Sequence, residues 1–103
     1  MADASHFELA GEQRIHVVGA GGSGMSGIAK LLSQLGHRVS GSDLKPSTTL
    51  DALTDSGVET WVGHRPEQMS NVDLVVASTA VPETDPELSA AGASGLTVWR
   101  LLR

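Results

Sequence analysis

A chain of 103 residues with no cysteine, 18% charged residues and a formal net charge of −5 has room for one core and not for two. It excludes a disulfide framework, a thiolate nucleophile and a zinc–cysteine site. An acidic chain without a run of lysine or arginine also lacks the basic face of a nucleic-acid binder, and no stretch approaches the roughly 20 apolar residues of a membrane span. Aromatics are only 3% of the residues, so a core must come from Val, Leu, Ile and Ala. Residues 1–14 hold no apolar signal-like segment, and the expected location is the cytoplasm, with neither nucleic acid nor membrane as partner.

Residues 1–13 show no period and are expected to form a flexible leader, with at most a short turn around residues 6–9. The single domain is expected over residues 14–103. Residues 15–18, Ile-His-Val-Val, read as a buried strand. It runs into Gly19, Gly21 and Gly24, which stand in the register G-x-G-x-x-G. Met25, Ile28, Ala29, Leu32 and Leu35 then recur at helical spacing up to Gly36, a helix stop. A second strand is expected at 38–40, followed by a turn-rich loop over 41–46. Thr48 with Asp51 resembles a capping box and opens a helix through Leu50 and Leu53 that ends at Gly57.

The third strand is expected at 58–62, leading to Gly63-His64-Arg65-Pro66 and a short helix begun by Pro66. Residues 72–77 form the next buried strand, ending in the small polar run Ser78-Thr79-Ala80. Asp85 as N-cap and Pro86 at the first helical position start another helix to Ala91, and 96–99 supplies the fifth strand. Strands alternating with helices at this spacing predict a doubly wound α/β fold. It is Rossmann-like, with an open parallel five-stranded sheet in the order 3-2-1-4-5 and helices on both faces. Its switch point lies between the first and fourth strands, where such sheets bind ligands.

The glycine turn belongs to that point. Helix-opening N–H groups without intrahelical acceptors, at the positive end of the helix dipole, suit an anion, so Gly21, Gly22, Ser23 and Gly24 are expected to contact phosphate. With the overall field opposed to an anion, local help is expected from backbone N–H groups, with Arg65 or Lys45 as candidates. Asp43, about 20 residues beyond the glycine turn, stands where a carboxylate accepts from ribose hydroxyls. Its alternative is support of its own turn, and Ser42 carries the same two readings. Ser78 and Thr79 offer either donors to a ligand or local caps. His64 and Arg65 fit a base and a phosphate, but surface-turn roles are the default for both. Trp61 and Trp99 read as packing, His6, His16 and His37 lack metal-ligand spacing, and Glu83, Asp85 and Glu87 read as helix-start charges. The sequence has no phosphate loop of the G-x-x-x-x-G-K-[ST] type and no nucleophile beside an evident base, which predicts a binding module without catalytic residues.

The run from Ile15 to Ala29, the Ser40-Gly41-Ser42-Asp43 segment and His64-Arg65-Pro66-Glu67 together resemble the amino-terminal domain of the muramyl ligases. The resemblance implies a three-domain enzyme of peptidoglycan synthesis in which this domain grips the UDP end of UDP-N-acetylmuramate. A central domain would bind ATP and magnesium, and a carboxy-terminal domain would place the amino acid. The muramyl carboxylate would be activated as an acyl phosphate and attacked by an amino group, that of L-alanine in the member most resembled. By position, Gly21 to Gly24 would meet the diphosphate, Asp43 the ribose or uracil side, His64 the uracil, and Ser78, Thr79 and Ala80 the diphosphate and sugar. The segment after Trp99-Arg100 departs from the family pattern. From the residues alone, an NAD-binding domain of a dehydrogenase or a nucleotide-sensing module stays open beside this reading, as does a scaffold with a vestigial site.

Overall fold

Strand alternation decides which side chains meet on each face of the sheet. The computed structural model describes residues 11–101. Its elements run β1 (Arg14–Val18), α1 (Ser23–Gln34), β2 (Arg38–Asp43), α2 (Thr48–Asp55) and β3 (Glu59–Val62), then a 3-10 segment (Pro66–Asn71), β4 (Leu74–Ser78), α3 (Pro86–Ala93) and β5 (Thr97–Leu101). All pairings are parallel and the order is β3-β2-β1-β4-β5, as the alternation of elements predicts. Reversal of the strand order beside β1 puts the first two crossovers on one face and the last two on the other.

On the first face Ile15, Val17, Val39, Leu74 and Val76 point from the sheet. They meet Met25 and Ala29 of α1 and Leu50 and Leu53 of α2 in one apolar cluster. On the second, Val18, Trp61, Val75 and Ala77 meet Met69 of the 3-10 segment and Leu88 and Ala91 of α3. Fully burying side chains of this kind contributes about 1.5–3 kcal/mol each, which makes the central strands β1 and β4 the spine of the domain.

The three α-helices among the described residues end alike. A positive-φ glycine follows each C-cap: Gly36 at 97°, Gly57 at 99° and Gly95 at 75°. The next N–H bonds back to the third-last helical carbonyl: His37 to Leu32, Val58 to Leu53, and Leu96 to Ala91. These are Schellman turns. The first of them carries Leu35 out of the core to 65% exposure, although the helical period had placed it on the buried face.

Several boundaries differ from expectation. The second strand continues through Gly41, Ser42 and Asp43, which read as loop, because β3 pairs with all three and β1 with Gly41 and Ser42. Gly41 there lets the glycine turn come close, since a Cβ would lie 2.7 Å from that of Ala20. The α2 cap is Ser47, whose hydroxyl accepts from the Leu50 N–H at 3.0 Å, and not Thr48. Most of the expected leader, including the turn at 6–9, lies outside the described residues. Its described end is already tied to the domain, with Glu12 paired to Arg38 at 2.9 Å and the Gln13 carbonyl accepting from the Arg38 N–H.

Candidate ligand-binding site

A cleft of about 540 Å³ opens at the carboxyl ends of β1, β2 and β4, within the size range of small-molecule sites. Its floor is the turn between β1 and α1. Gly19 takes φ +81°, and its N–H and that of Ala20 both donate to the Ser42 carbonyl, at 2.8 and 2.9 Å. The turn is thereby fastened to β2. No side chain caps α1, and its first turn holds no acidic residue. The other two helices are closed by their own residues, α2 by Ser47 and α3 by Asp85, which accepts from the N–H groups of Glu87 and Leu88. Of the three α-helices among the described residues, only α1 presents an opening without a side-chain acceptor, and Gly22, Ser23 and Gly24 of that opening line the cleft. A Cβ on Gly24 would meet nothing within 4 Å, so this glycine keeps the cleft open and does not serve helix–strand packing.

Ser42, Asp43, His64, Ser78 and Ala80 also line the cleft, while Gly21 and Thr79 do not. The Gly21 N–H is turned to Asp43, donating to Oδ2 at 2.8 Å, and a Cβ at Gly21 would lie 2.7 Å from that oxygen. Asp43 Oδ1 accepts from the Leu44 N–H, so in this structure the carboxylate buttresses the glycine turn as well as its own. Thr79 leans toward β5, with its N–H on the Leu101 carbonyl. Ser78 takes the capping role, its hydroxyl accepting from the Ala80 N–H at 3.1 Å. Arg100 grips the same turn through the carbonyls of Thr79 and Val81. Neither candidate cation lines the cleft: Lys45 is exposed, and the Arg65 guanidinium lies over the Trp61 ring, 5.1 Å from its centroid. Attraction for an anion must come from backbone N–H groups.

Beneath the cleft lies a cluster that sequence reasoning missed. Glu87, read as a helix-start charge, is fully buried, and so is His16. Glu87 Oε1 accepts from Ser42 Oγ at 2.6 Å and lies 3.0 Å from His16 Nε2; Oε2 accepts from Trp61 Nε1 and from the Arg65 N–H, both at 2.8 Å. Burial pushes the carboxyl up, but the hydrogen bonds from His16, Ser42 and the Arg65 backbone, with the charge of His16, outweigh it and hold the pKa at about 2. Ser42 therefore contributes a wall to the cleft while its hydroxyl is spent inward. His64, Asp85 and Glu87 bring ligand-type atoms within 4.8 Å of one another. Within that trio Glu87 already serves four donors, and His64 Nδ1 lies 3.6 Å from Asp85 Oδ2. The signal that pointed here was His16 itself: a histidine inside a strand buried on both faces requires partners, and Ser40 and Ser42 stand on the same face of the neighbouring strand.

A parallel doubly wound sheet with a glycine turn and an open helix at its switch point defines a domain of the Rossmann-like α/β class. Residues 14–103 match the model described as "Mur ligase family, catalytic domain". The chain belongs to the Mur ligase family. Among curated relatives it is 48% identical over 86 residues to a UDP-N-acetylmuramate–L-alanine ligase of Allorhizobium ampelinum, covering 84% of this chain and 18% of that protein. It is 52% identical over 79 residues to the ligase of the same name from a Polaromonas species, covering 77% and 17%. Among solved structures, the UDP-N-acetylmuramate-alanine ligase MurC of Thermotoga maritima superposes with a TM-score of 0.81 at 29% identity, over 86% of this chain and 21% of that one. The chain thus spans less than a fifth of the length of these curated relatives. Among the described residues no helix is long and apolar enough to cross a membrane.

Proposed function

We propose that this chain is the part of a peptidoglycan-building ligase that grips the UDP end of UDP-N-acetylmuramate, in an enzyme that joins L-alanine to it. The observation that carries the reading is the uncapped start of α1 facing the cleft, between two helices that cap themselves. The N–H groups of Ser23 and Gly24 meet the diphosphate, with Gly22 bordering it while its own N–H donates to the Gly19 carbonyl at 3.0 Å; Asp43 meets the ribose side and His64 the uracil, while Ala80 and the backbone around Ser78 border the sugar. Gly21 and Thr79 act indirectly, the first through Asp43 and the second through the Arg100-held turn. The relatives' names support both substrates.

Ser42 is a cleft residue whose hydroxyl stands beside a carboxylate and an imidazole, but that hydroxyl is turned inward onto Glu87 at 2.6 Å and His16 at 3.1 Å, and the sequence has no ATP phosphate loop. ATP and magnesium are assigned to a central domain of the parent enzyme and placement of the amino acid to a carboxy-terminal one, both acting with this domain in the cytoplasm. An NMR amide-shift titration with UDP-N-acetylmuramate, NAD and ATP in parallel tests the reading. Saturable shifts at Gly22, Ser23, Gly24, Asp43 and His64 with the UDP-sugar alone are expected. Shifts with NAD in its place would move the chain to the dinucleotide binders, and silence with all three would sink the site.

A further inference from the structure

Glu87 does more than start a helix or fill a core. Asp85 already caps α3, and an apolar side chain of similar size would occupy the same space without the cost of a buried charge. What a carboxylate adds is two acceptor oxygens, and each takes two donors. Oε1 serves the sheet, His16 on β1 and Ser42 on β2; Oε2 serves Trp61 on β3 and the N–H of Arg65 in the following turn. That turn is held at two points. The Gly63 N–H donates to the Asp43 carbonyl at 2.8 Å, the Arg65 N–H donates to Glu87, and His64 hangs between them.

We propose that Glu87, backed by His16, is a positioning residue that fixes the 63–65 turn and so places His64 at the base end of the cleft, an inference that rests on the nucleotide reading above. His16 holds the carboxylate through Nε2 and Ser40 through Nδ1, and its ring stacks on Trp61 at 4.8 Å between centroids and 10° between planes. Carboxylate, imidazole and indole form one block. His64 leans on the same corner, with Nδ1 3.6 Å from Asp85 Oδ2. The glycine turn has its own fastening, through the Ser42 carbonyl and the Asp43 side chain. Loosening Glu87 therefore disturbs the base end of the ligand and leaves the diphosphate end in place.

Glu87→Leu tests this in the 103-residue chain, since leucine fills most of the same space and offers no acceptor to the Arg65 N–H. UDP and inorganic diphosphate are titrated by calorimetry, and amide hydrogen exchange is followed by NMR. About tenfold weaker UDP binding is expected with diphosphate unchanged, together with about tenfold faster exchange at Arg65 and no change at 22–24. Equal losses for the two ligands, or unaltered Arg65 exchange in a folded variant, would overturn the assignment. If Glu87→Leu does not fold, Trp61→Phe keeps a ring against His16 while removing one donor from Oε2. A smaller loss confined to UDP then supports the proposal, and no loss, or one shared with diphosphate, rejects it. A parent chain that binds diphosphate but not UDP removes the base-end role along with the nucleotide reading. Arg65 exchange in the variant separately decides whether Glu87 holds the turn.

Discussion

The two faces of the sheet bury their side chains by different rules. Under α1 and α2 the filling is apolar throughout, and any member is replaceable by a residue of similar volume at modest cost. Under α3 and the 3-10 segment the same kind of filling surrounds a charged, fully hydrogen-bonded group whose members depend on one another. The first face supplies stability that is tolerant of sequence. The second trades tolerance for geometry, and it is the face whose buried group reaches up to the cleft wall.

The contrast breaks most sharply at Glu87. Glu87→Ala leaves four donors facing a cavity and is expected to cost about 4 kcal/mol or more. That is a large share of the stability of a domain this size, and urea denaturation at pH 7 measures it. Leu74→Ala, deep in the other face, is expected to cost about 3 kcal/mol by the same measurement, with a deficit that stays constant across acid pH. Acid titration of the unaltered chain separates the faces again. The folded pKa of Glu87 lies below its ordinary 4.5, at about 2. Its contribution, on the order of 3 kcal/mol, is therefore whole above about pH 4.5 and is lost as pH falls toward 2. The Glu87→Gln variant should lack that part of the acid slope. The smallest effect is expected from Trp61→Phe, about 2 kcal/mol for one hydrogen bond to a charged acceptor, read from the shift of the urea midpoint.

The apolar face was also the legible one. β1, the glycine turn and α1 follow one another in sequence, and the alternation of elements carried the strand order without any long-range information. Glu87 was illegible because its partners lie 71, 45, 26 and 22 residues away, and after Asp85-Pro86 it looks like any carboxylate in a first helical turn. The end of β2 was misread for a related reason. Glycine, serine and aspartate favour turns locally, yet pairing with β3, and with β1 as far as Ser42, holds them extended. Of the residues that line the cleft, those on the helix opening were visible from spacing. The inward turn of Ser42, the Gly21–Asp43 bond and the drift of Thr79 toward β5 depend on which strand lies alongside, and a single sequence does not state that.

Each helix hands the chain back to the sheet through the same glycine device at Gly36, Gly57 and Gly95, whereas at the opposite rim no two helices begin alike. The amino edge is thus a standard fitting, repeated and indifferent to what is bound, and the carboxyl edge is where the fold can vary. A designer seeking to fit this domain to a chosen ligand has one rim to rewrite and three glycines to leave alone.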